Sequence, residues 1–178
     1  MSGCLMVYAV DFEVLRRAVG SRDDALLARI AVQLGDPHFD AAARELIHGM
    51  APYISEPDEL AVAHQGLCGA IGRELANGSV CPTTLTALEP VMEYVSKLGL
   101  GVDLFHLMYR GAPVPLPRVT DFPSTGYWST EEVITALAVY RGAQPQHDDP
   151  DIDAVLLEIG EWLELAASLR RGLVAFYS

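Results

Sequence analysis

The chain has 178 residues, of which 51% are hydrophobic, with a formal charge of −12 and a pI near 4.6. That length and apolar content bury a core without disulfides or metal, so one domain spanning residues 1–178 is expected. The acidic balance excludes the basic surface that binding to nucleic acid or an anionic membrane requires, and leaves a basic protein as a compatible partner. The cysteines Cys4, Cys68 and Cys81 are odd in number and show no CxxC spacing, which fits a reducing compartment better than a disulfide framework. MSGCLMVYAVDFE has no basic n-region and its short apolar run ends at Asp11, so it does not read as a signal peptide. No stretch approaches the roughly 18 apolar residues of a membrane span. The expected location is cytoplasmic.

In chain order, Cys4 to Val10 is a continuous apolar run with β-favouring residues, of strand length. Asp11 then caps a short helix that ends at Gly20. Ser21, with Asp24 three residues on, opens a second helix carrying Leu26, Leu27, Ile30 and Leu34, closed by Gly35. Asp36-Pro37 opens a third, reaching about Gly49. SEPD (Ser55 to Asp58) starts a helix expected to run to Asn77-Gly78, in which Gly66, Gly69 and Gly72 imply close backbone packing. The helix after Pro82 carries Leu85, Leu88, Met92, Val95 and Leu98 and stops at Gly99, and VDLFHLMYR adds a turn or two.

Arg110 to Trp128 (RGAPVPLPRVTDFPSTGYW) contains four prolines and no periodic element, so it must run extended or turning. Its Val114, Leu116, Val119, Phe122, Tyr127 and Trp128 are too apolar for a solvated linker, so it is expected to pack on the core. Ser129-Thr130-Glu131-Glu132 is a capping box for the next helix. Asp149-Pro150 caps the last, whose wide apolar stripe runs from Ile152 to Leu169. GLVAFYS is a second strand. Two apolar strands at opposite ends of a helical chain most simply pair in one small sheet, with room for a third strand from the loop. The expected fold is α+β, helix-rich.

Chemistry-bearing residues are few. His64 and Cys68, four apart, have the spacing of a nucleophile and base or of two metal ligands, yet both fall on the apolar stripe of Leu60, Leu67 and Ile71. HDDPDID alternates Asp149, Asp151 and Asp153 as a calcium loop begins, but Ala154 stands where its glycine belongs and Gly160 where its glutamate belongs. His38, His48, His106 and His147 show no HExxH or other ligand spacing and no GxSxG, P-loop or dinucleotide fingerprint occurs, so neither a metal nor a cofactor is expected. Arg110, Asp121, Tyr127 and Trp128 are the loop residues suited to orient a ligand, or alternatively an ion pair and two aromatics that pin the loop. The final helix region holds Asp148, Asp149, Asp151, Asp153, Glu158, Glu161 and Glu164 with no lysine or arginine, a candidate surface for a basic partner.

Tyr8-Ala9-Val10-Asp11, Gly126 to Val133 (GYWSTEEV) and the closing GLVAFY resemble the YfbM-like family of small bacterial proteins. They are closer still to a bacterial subgroup sharing DFPS-x-GY and RGL-V-x-FY stretches. The resemblance covers the first 20 residues, Leu46 to Gly49, and about Asp121 onward. Ala41 to Glu45 departs from it, with Arg44 at about the place of a family histidine. The resemblance implies a compact α+β protein and carries no reaction.

These residues support three readings. The leading one is an acidic cytoplasmic protein-binding module, immunity-like or regulatory, that neutralises a basic toxin or nuclease domain without chemistry of its own. The alternative is a small enzyme or ligand-binding protein with a cleft lined by residues 110–128. A third is a structural dimer.

Overall fold

β1 (Leu5–Val10) and β4 (Gly172–Tyr177), from opposite ends of the sequence, lie side by side and antiparallel, with Leu5 opposite Tyr177 and Val10 opposite Gly172. The computed structural model describes residues 3–120 and 122–178. β4 also pairs antiparallel with β3 (Ser124–Trp128), drawn from the Pro-rich stretch, so the expected third strand is present. A two-residue strand, β2 (Arg73–Glu74), closes the other edge, giving the order β2-β1-β4-β3.

Helices cover both faces. On one lie α1 (Phe12–Ala18), α2 (Asp24–Leu34), α3 (Asp40–His48) and α4 (Pro57–Ile71), against Tyr8, Val10, Val174 and Phe176. On the other lie α5 (Leu85–Leu98), α6 (Leu104–Tyr109), α7 (Thr130–Ala143) and α8 (Pro150–Ser168), against Leu5, Val7, Ala9, Leu173 and Ala175. Burial on both faces explains why the two terminal strands are continuously apolar rather than alternating. The fold is α+β, and among the described residues no helix is long and apolar enough to cross a membrane.

Four expectations need correction. The helix opened by SEPD ends at Ile71, not at Asn77-Gly78, because Gly72 extends the backbone and Arg73 and Glu74 pair with Ala9 and Tyr8. The open hydrogen-bonding edge of β1 outcompetes another helical turn. Its cap is Glu56, in a capping box with Glu59, while Ser55 turns back to Glu45 through its backbone N–H and hydroxyl. Asp23, not Ser21, caps α2, accepting from Ala25 and Leu26. Cys4 and Cys81 form a disulfide, beside a backbone bridge between Gly3 and Thr83. Spacing could not reveal a bridge between cysteines 77 residues apart, and it removes the cysteine argument for a reducing compartment.

Glycine marks the tightest approaches. A Cβ on Gly66 would lie 2.8 Å from Leu34, so the close packing expected of α4 is against α2. A Cβ on Gly126 would overlap the backbone of His106 and Leu107, so α6 lies directly on β3. Gly126→Ala must push a backbone aside, and a loss of about 1–3 kcal/mol or more is expected by chemical denaturation. An unchanged midpoint would mean that α6 does not sit on β3 as described.

The disulfide spans a 77-residue separation, for which the chain-entropy relation gives about 4.5 kcal/mol. Replacing Cys4 and Cys81 by serine is expected to lower the unfolding free energy by a large part of that amount, read as a fall in the urea midpoint. Equal midpoints for the variant and the unreduced protein would show that no bridge forms in solution.

Candidate functional site

Strand alternation sends Tyr127 and Trp128 to opposite faces of the sheet. Trp128 is fully buried among the residues of the α5–α8 face, its indole N–H donating to the Asp103 carbonyl at 3.0 Å. It therefore anchors the core, as the reading of the two aromatics as pins of the loop has it. Tyr127 is half-buried on the other face, edge-on to Phe12 at 5.7 Å.

Arg110 lies over the Tyr127 ring, its guanidinium carbon 4.3 Å from the ring centroid. Its Nη1 donates to both Glu132 carboxylate oxygens, at 2.8 and 2.9 Å. Glu132 is itself fixed, since it accepts from the Ser129 N–H at 2.6 Å in the capping box that starts α7. The partner that the loop sequence offers Arg110, Asp121, lies outside the described residues. The capping box announced Glu132 as a helix-start residue. Its second role, across the fold to Arg110, left no local signal.

Beside Arg110 is a cleft of about 370 Å³. Pro57 and Ala61 at the start of α4 form one wall, and Gly111, Ala112 and Leu116 to Val119 of the Pro-rich segment form another. Tyr109, Ser124 and Thr125 complete it. The Pro-rich segment is pinned by burial of Val114 and by the Gly111 N–H donating to the Thr125 carbonyl at 2.8 Å. Packing of the loop on the core is as expected for Val114 and Trp128, while Leu116, Val119 and Tyr127 are half-buried and Phe122 is exposed. Arg110 and Arg118 are both lining residues, and among the described residues the lining holds no carboxylate. Burial, and then the neighbouring Tyr177, raise the Tyr109 hydroxyl above its ordinary pKa, so it remains a neutral donor.

The acidic helix is less bare than its sequence. Glu158 is 8% exposed and accepts from the Ser79 N–H at 3.0 Å, because its position flanks the apolar stripe and faces the turn before α5. Glu164 is paired with Arg141 of α7, whose Nε donates at 2.7 Å. Asp149 caps α8 and Asp153 accepts from the His147 N–H, so both carboxylates stabilise the helix start. Asp148, Asp151 and Glu161 are exposed without a side-chain partner among the described residues. Among those residues no group of three or more His, Cys, Asp or Glu is placed to hold a metal ion.

His64 and Cys68 do meet, the thiol sulfur 3.7 Å from His64 Nε2, and both are fully buried. His64 packs edge-on against Phe176 at 5.3 Å, and its Nδ1 has no hydrogen-bond partner. Burial raises the thiol pKa far above its ordinary value and lowers that of the imidazole to about 4. A thiol kept protonated and shut from solvent is no nucleophile, so the pair belongs to the core.

The chain matches the family described as Domain of unknown function (DUF7691) over residues 1–178, and belongs to it. No curated protein and no solved structure matches the chain. The resemblance to the YfbM-like family stands beside this as an expectation.

The buried imidazole makes stability depend on pH. The unfolded chain takes up a proton near pH 6.5, whereas the folded protein resists it down to about pH 4. Stability is therefore complete above pH 6.5 and is lost as pH falls toward 4, by on the order of 3 kcal/mol from this group. Urea melts of the protein and of His64→Leu across that range are expected to show a shallower decline in the variant. Parallel declines would remove His64 from the acid response.

Proposed function

We propose that this member of the DUF7691 family binds a small anionic molecule in the cleft between α4, the Pro-rich segment and β3. One observation carries the reading. In a chain with a net charge of −12, Arg110 and Arg118 both line this one cleft, and among the described residues the lining holds no carboxylate and Glu132, outside it, is the carboxylate paired with Arg110. An acidic protein repels anions in general, so cationic groups gathered in a concave site with partly apolar walls favour one at that place. Its volume of about 370 Å³ lies at the low end for small-molecule sites, which suits a small ligand. Rigidity supports the same reading, because Arg110 is held by Glu132 and Tyr127 and its ordering cost is met before any ligand arrives.

The reading of a basic protein partner at the acidic helix keeps Asp148, Asp151 and Glu161 as its exposed, unpaired carboxylates. It stands second, since Glu158 and Glu164 are engaged within the fold.

A thermal-shift and titration panel of benzoate, acetate, phosphate and sulfate tests the cleft. At least one anion is expected to stabilise the protein, approaching about 2.7 kcal/mol at a hundredfold excess over its Kd. The shift should shrink with added chloride and disappear in the Arg110→Ala, Arg118→Ala double variant. Equal shifts in the protein and a folded double variant, or none in either, would overturn the proposal.

A further inference from the structure

Resting on that reading, we infer that the ligand of the cleft is a monocarboxylate with a short apolar body, its carboxylate seated on the Nε and Nη2 edge of Arg110. The orientation of the guanidinium is the first reason. Glu132 takes Nη1 alone, and the guanidinium carbon lies over the Tyr127 ring. Among the described residues the Nε and Nη2 hydrogens have no acceptor, and this edge presents two parallel donors with the spacing of two carboxylate oxygens. The Arg110 side chain is 35% exposed, so the edge is shielded yet reachable.

Charge is the second reason. Among the described residues, Arg110 and Arg118 bring two positive charges and Glu132 removes one, leaving one. A monocarboxylate balances that single charge. A phosphate monoester, with about −1.5 to −2 near neutral pH, overshoots it beside a fixed carboxylate.

The third reason is the helix that adjoins the cleft. Phosphates are commonly cradled by free N–H groups at a helix N-terminus. At α4 the first position is Pro57, which has no N–H, and the capping box of Glu56 and Glu59 already occupies the N–H groups of Glu56 and Glu59, so that end offers no free cradle. The walls supplied by Ala61, Ala112, Leu116 and Val119 are instead apolar, and suit a short aliphatic or aromatic body.

Titration of the full-length protein with hexanoate, hexyl phosphate and hexanol decides among head groups on one body. Hexanoate is expected to bind at least tenfold more tightly than either of the others. Arg110→Lys keeps the charge and loses the fork, and is expected to weaken hexanoate at least tenfold. Glu132→Gln raises the site charge by one and is expected to narrow the preference over hexyl phosphate, a change that simple loss of structure would not produce. Equal or tighter binding of hexyl phosphate, still dependent on Arg110, would overturn the carboxylate assignment and leave the anion reading intact. Undiminished hexanoate binding by Arg110→Lys would overturn the role of the fork. Binding of hexanol as tightly as both anions would overturn the assignment together with the anion reading.

Discussion

The fold depends on the burial of β4 as an inner strand with apolar side chains on both faces. Leu173 and Ala175 enter one core, Val174 and Phe176 the other, and the backbone groups between them are satisfied by β1 on one side and β3 on the other. A strand in that position can expose neither face, so each must be covered by helices. The earlier helices take one face and the later ones the other. The segment that crosses between those layers, from the end of α6 to β3, is the segment that forms the cleft.

A Pro-rich connection becomes a site only if something holds it. Here the holding groups lie at its two ends. Gly126 lets α6 rest on β3, Gly111 ties back to Thr125, and Arg110 is clamped between Tyr127 and Glu132. Prolines reduce the entropy lost when such a segment orders, so a few buried side chains such as Val114 suffice to fix it. The same clamp holds Arg110 in one orientation, with Glu132 balancing its charge.

The acid surface shows how charge in sequence and charge in structure diverge. Seven carboxylates in one cation-free stretch resemble an exposed stripe, yet Glu158 faces a backbone N–H and Glu164 faces an arginine of the neighbouring helix. Both partners come from elements distant in sequence, so a pattern along one helix cannot register them.

Sequence alone determined the features that local chemistry dictates. Apolar runs of strand length, cap residues such as Asp11 and Asp149, the Ser129–Glu132 capping box and the stopping glycines Gly35, Gly49 and Gly99 each act within a few residues, and each element stands where they put it. Pairing of the terminal strands was legible too, because two buried apolar strands must satisfy their backbone groups and had each other to do so. Tertiary structure decided the features that depend on encounters between distant residues: the end of α4 at the edge of β1, the Cys4–Cys81 bridge, the pairing of Arg110 with Glu132 and the inward turn of Glu158. These are choices among partners of equal chemical suitability, and only the folded geometry, by bringing one within bonding distance and excluding the rest, makes them.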